Sequence, residues 1–99
     1  MFEVGTAMEF TAWHVMPGVE GPEGELHRHN YRLEVVVRRA ALDEGGMVVD
    51  LDILRGSVEK TVASVRDQDL ESIRPPEAGA VTVEVLAAWA HAEIAGSIA

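Results

Sequence analysis

The segment His27–Arg39, HRHNYRLEVVVRR, alternates along its whole length. His27, His29, Tyr31, Leu33, Val35 and Val37 share one parity, and Arg28, Asn30, Arg32, Glu34, Val36 and Arg38 share the other. Side chains of an extended backbone project alternately to opposite faces, so the pattern predicts a half-buried strand of the antiparallel kind. A helix cannot gather these residues on one side. Two imidazoles stand on the face that otherwise carries aliphatic groups, and that placement needs a reason.

Residues 2–15, FEVGTAMEFTAWHV, read as a preceding strand with Gly5 in its interior. Met8, Phe10, Ala12 and His14 face one side of its pleat. Residues 16–25, MPGVEGPEGE, hold two prolines, three glycines and three glutamates, the composition of a surface loop. After the second strand, ALDEGGM makes a turn and Met47–Val49 a short extended piece. Asp50 or Asp52 caps a helix running to about Val65, with Leu51, Leu54, Val58, Val62 and Val65 at helical spacing. RPPEAGA at 74–80 breaks the chain. Thr82 then caps a second helix, whose stripe is Val83, Leu86, Ala90 and Ile94, with Gly96 near its end.

The order strand, strand, helix, helix describes one α+β domain, residues 1–99, near the low end of what a single core can hold. An apolar fraction of 47% suits a globular chain that self-associates. A net charge of −9 argues against a nucleic-acid backbone or an anionic membrane as partner. The absence of cysteine removes disulfides, thiolate metal sites and thiol nucleophiles together. The first residues, MFEVGTAMEF, lack the basic and apolar regions of a signal peptide, and a cytoplasmic protein is expected.

Residues i and i+2 of a strand lie roughly 7 Å apart on one face. Two imidazoles there can tilt their nitrogens to within about 3.3 Å, as neighbouring ligands of a tetrahedral ion require. If the two strands pair across the loop, His14 joins His27 and His29. Three neutral imidazoles with one open position suit catalytic zinc. The H-x-H spacing by itself is more often a pair of satisfied or half-exposed histidines, so the context of the motif matters.

That context is Phe10-Thr11-Ala12-Trp13-His14, then His27-Arg28-His29-Asn30-Tyr31, then Gly46-Met47-Val48-Val49-Asp50, then Val65-Arg66-Asp67-Gln68-Asp69-Leu70-Glu71, then Thr82-Val83-Glu84. The collinear series resembles the 6-pyruvoyltetrahydropterin synthase family, which includes the 6-carboxytetrahydropterin synthases of queuosine biosynthesis. Its pattern is F-x-A-x-H, C-x-x-x-H-G-H-x-Y, G-M-V-x-D, L-D-H-x-x-L-N and T-x-E. The resemblance implies the tunnelling fold, an antiparallel sheet with two helices on one face. It also implies barrels of subunits, usually hexamers built from two trimers, a pterin-like ligand between subunits, and zinc on His14, His27 and His29. Thr82 becomes a contact to the ligand's ring, and Glu84 a support for the helix start.

Three positions depart from that pattern. Glu23 stands where the family has its catalytic cysteine, Arg66-Asp67 replace the aspartate–histidine relay, and Arg28 replaces the glycine between the zinc histidines. Moving protons on and off carbon suits groups with pKa values near working pH, whereas carboxyls ordinarily titrate near 4. The standard cysteine-dependent reaction is therefore expected to be lost or severely slowed. In an alternative reading, Glu23 and Asp67 serve as acid and base in a zinc-dependent lyase or aldolase acting on a dihydroneopterin side chain. A third reading is a non-catalytic structural subunit. Against any catalytic role, Glu23 fits a solvated loop and Asp67 a helix end. His91 reads as an ordinary histidine, and Trp13 and Trp89 as packing residues. The family pattern continues with two strands after the second helix, which residues 1–99 do not include; either they lie in further chain or the assembly supplies the pairing of the open strand edges.

Overall fold

The computed structural model describes residues 1–98. Strand β1 (Phe2–His14) and strand β2 (His27–Arg39) pair antiparallel along their full length, from Phe2 opposite Arg39 to His14 opposite His27. Full pairing sets the parity. Even residues of β1 and odd residues of β2 share one face, and this face carries Val4, Met8, Phe10 and Ala12 with Tyr31, Leu33, Val35 and Val37.

The intervening loop is drawn in by a 3-10 turn at Pro22–Gly24, where Met16 N–H donates to the Glu23 carbonyl at 2.9 Å. Beyond β2, Met47–Val49 is not extended. The turn is instead organised by Asp43, whose Oδ1 accepts from the amides of Gly45 and Met47, both at 2.9 Å, and Gly46 takes φ +78°. Such a backbone favours glycine and closes the turn before any strand can form.

Helix α1 (Leu51–Val65) is capped by Asp50, which accepts from Asp52 N at 2.9 Å and Ile53 N at 3.3 Å. Leu54, Val58, Val62 and Val65 are buried on its inner stripe. A 3-10 turn at Leu70–Ile73 follows, capped by Asp69, and buries Leu70. Four residues are too few to show a helical period, which is why the sequence pattern passes over it.

Helix α2 (Val83–Ile98) begins at Thr82, whose hydroxyl accepts from Val85 N at 3.1 Å. Leu86, Ala90 and Ile94 are buried as the pattern predicts, but Val83 is 67% exposed. The buried valine is Val81, the residue before the cap. With Leu86 it forms the two ends of a hydrophobic staple, which fixes the entry of the chain and turns the first helical residue outward.

The chain belongs to the α+β class, with both helices on one face of a two-stranded sheet. Phe10, Ala12, Leu54, Val58, Val62, Val65, Leu70, Val81, Leu86 and Ile94 make one core. At ~3.4 Å per residue each strand spans roughly 40 Å, whereas helices of this length span about 23 Å. The helices cannot cover the whole hairpin. Burial along β1 is complete at Ala12 and only partial at His14, so the last rung lies at the rim of the core. Among the described residues no helix is long and apolar enough to cross a membrane.

Candidate metal centre

Pairing alone brings the three histidines together. His14 ends β1 directly opposite His27, which begins β2, and His29 is opposite Ala12 one step inward on the same face. Ring centroids are 4.5 Å apart for His14–His27, 5.6 Å for His14–His29 and 5.8 Å for His27–His29, and the planes are inclined by 58–78°. One nitrogen from each ring lies within 4.8 Å of the others.

The surroundings prepare these rings as ligands. His27 Nδ1 lies 2.9 Å from the Glu25 carbonyl, an acceptor only, so Nδ1 donates there and Nε2 is the nitrogen left for a metal. His14 Nδ1 is buried with no hydrogen-bond partner. Burial, and then the charges of His27 and His29, pull the His14 pKa below its ordinary value of 6.5; the Val81 backbone and Glu23 oppose this. His14 is therefore neutral at pH 7, the form that binds metal. An orphaned buried nitrogen and three imidazoles that offer one ring nitrogen each within 4.8 Å are a donor set that fits zinc or a similar borderline cation.

The other predicted residues divide between two faces. Glu23 is exposed on the loop turn, and its charge is the least of the influences on the His14 pKa. Thr82 follows Val81, whose backbone acts on His14, and the Thr82 hydroxyl caps α2 while keeping a proton to donate. Glu84 is an exposed acid in the first turn of α2, where a negative charge favours the helix start. Asp67 lies on the opposite face of the sheet. Its Oδ1 accepts from Thr11 Oγ1 at 2.9 Å and from Arg28 Nη2 at 3.2 Å, and Thr11 Oγ1 accepts from Arg28 Nη2 at 2.9 Å. Arg66 and His91 are exposed, and Trp89 packs against the core. Trp13 is half-buried beneath the Arg28 guanidinium, 5.8 Å from its ring centre.

Sequence reasoning missed the Glu25 carbonyl and the Thr11–Arg28–Asp67 cluster. Thr11 and Arg28 share a parity once the register is known, but nothing in the pattern shows the path of the loop carrying Asp67.

A hairpin bearing two helices on one face, with three histidines gathered at its end, defines a small α+β sheet-and-helix module with a metal-ligand constellation. The family described as 6-pyruvoyl tetrahydropterin synthase matches residues 3–99. The chain belongs to that family, and membership supports a pterin-related, synthase-like function. Comparison with curated proteins finds no match.

Proposed function

We propose that the chain binds a pterin-like ligand at a zinc centre held by His14, His27 and His29, without carrying out the family's cysteine-dependent reaction. The convergence of three imidazole nitrogens within 4.8 Å carries this reading. Zinc bound there would supply Lewis acidity toward the oxygens of a ligand side chain. Thr82 follows Val81, whose backbone acts on His14, and its hydroxyl, which accepts from Val85 N, keeps a proton for the ligand's ring. No cysteine exists to act as the thiol. The open outer edge of β2 and the uncovered Thr11–Arg28 face support assembly of copies into a barrel, as a hexamer of two trimers.

Glu23 favours a second reading, a lyase or aldolase acting on a dihydroneopterin side chain, because its charge reaches His14. In that reading Glu23 is the acid–base group. Asp67 is not its partner within one chain, since its carboxylate is engaged by Arg28 and Thr11 across the sheet.

Elemental analysis of the purified full chain, native mass measurement and incubation with dihydroneopterin triphosphate test these readings together. The expected result is one zinc per chain, six chains per particle and retained pterin without turnover. Release of glycolaldehyde or acetaldehyde would establish the second reading. Rapid formation of the 6-pyruvoyl product, or no metal and no pterin bound, would overturn both.

A further inference from the structure

The rung carrying Trp13 and Arg28 is the last but one of the hairpin, between the rungs that hold His14 with His27 and Ala12 with His29. A strand pair frays from its end, and fraying here would part His14 from His27 before any other contact is lost. The opposite face of this same rung is tied down. Arg28 Nη2 donates to Thr11 Oγ1 at 2.9 Å and Asp67 Oδ1 at 3.2 Å, and Thr11 donates to the same oxygen at 2.9 Å. The loop beyond is fastened to β1 by its backbone: Asp67 N–H donates to Thr11 O and Trp13 N–H to Gln68 O, both at 2.8 Å. Asp67 adopts φ +58°, a left-handed conformation that aspartate tolerates better than most residues, and it is the one described non-glycine residue with positive φ. The aromatic ring of Trp13 lies against the guanidinium from the third side.

A lone guanidinium between two metal ligands would repel a cation. Here its charge is met by a carboxylate, and its fork spans β1, β2 and the loop. Resting on the metal-centre reading above, we infer that Arg28, Thr11 and Asp67 form a clamp on the far face of the sheet that positions His27 and His29 for the cation. Arg28 is a positioning residue. It acts through the backbone of the strand segment on which both histidines stand, holding in advance the order that binding would otherwise have to impose.

Charge and clamp make opposite forecasts. If Arg28 acts only as a positive charge near a dication, Arg28→Met tightens binding. If it clamps, Arg28→Met weakens it. The full chain is titrated with Zn2+ and with Co2+ against a competing chelator, for the parent, Arg28→Met, Asp67→Asn, Thr11→Val and the Arg28→Met/Asp67→Asn pair. Each single change is expected to weaken binding about fivefold, in the range of exposed charge pairs acting on ligand orientation. The pair is expected to weaken it about fivefold as well, since either change opens the same clamp. The visible absorption of bound Co2+ should lose intensity per ion in every variant as the ligand geometry loosens. Thr11→Val keeps the side-chain shape and removes only the bridging hydroxyl, so it carries the test if Arg28→Met does not fold. Tighter binding by Arg28→Met, unchanged affinity and spectrum in all variants, or additive losses of roughly 25-fold in the pair would overturn the clamp. A parent chain that binds neither ion overturns the centre itself, a result distinct from a parent that binds and variants that bind equally well.

Discussion

Replacing His14 by leucine should invert the order of stability between chelator and zinc. Without metal, His14 holds a buried ring nitrogen with no hydrogen-bond partner, and two further imidazoles crowd it. A buried unsatisfied polar group costs about 1–3 kcal/mol, so leucine of similar bulk should leave the chain as stable as its parent or more stable by about 1 kcal/mol. With zinc at about 100 times Kd, binding stabilises the parent by about 2.7 kcal/mol. For a domain of this size that raises Tm by roughly 10–20 °C. Loss of one of three ligands weakens the site at least ~100-fold, and the same zinc then adds only about 0.4 kcal/mol. Thermal melts followed by circular dichroism, with chelator and with zinc at one protein concentration, measure both arms. A His14→Leu chain less stable than the parent by more than about 1 kcal/mol in chelator, with an undiminished zinc response, would make His14 a packing residue and refute this account.

Acidification should destabilise the metal-free chain in a defined direction. His14 titrates below its ordinary 6.5 in the fold, so below about 6.5 the unfolded chain binds the extra proton and stability falls as pH drops toward the folded value. Above about 6.5 this contribution is flat, so in melts from pH 5 to 8 the difference between the parent and His14→Leu should change with pH only on the acid side. Leu54→Ala removes a fully buried side chain at the centre of the helix–sheet contact and should cost 2–5 kcal/mol, read from urea midpoints. Asp50→Ala leaves the amides of Asp52 and Ile53 without their cap and should cost about 1 kcal/mol by the same assay. Gly24→Ala would drive a methyl group into the Val19 carbonyl, so the loop must open; zinc affinity should fall with little change in the core, as measured by metal competition.

Strand parity was legible from the first residues because period-two alternation has a single geometric meaning. It located β1, β2 and the shared face of His14, His27 and His29, and antiparallel pairing across the loop did the rest. The inner stripe of α1 was legible for the same reason, from a period of 3.6. What escaped depends on contacts that have no period. Val81 rather than Val83 is buried because a staple, not a stripe, governs the entry of α2. Met47–Val49 fails to extend because one carboxylate, Asp43, gathers two amides. Asp67 crosses to the far face because its own amide and that of Trp13 tie the loop to the edge of β1.

That crossing changes the meaning of the departures from the family pattern. Read along the sequence, Arg28 in place of glycine and Asp67 in place of histidine look like two separate losses. In the fold they meet at 3.2 Å although they stand 39 positions apart in the chain, so they form one ion pair. Its partners are 55% and 59% exposed, too open to contribute much stability as a surface pair, which directs attention to what it orients. A histidine at position 67 would leave Arg28 without its carboxylate beside a cation, and a glycine at 28 would leave Asp67 without its donor. Each change makes sense in the presence of the other. Glu23, the third departure, stands apart on the histidine side, where its charge already acts on His14. In the lyase reading proposed above, proton chemistry would fall to Glu23, and the far face would serve to hold the strand.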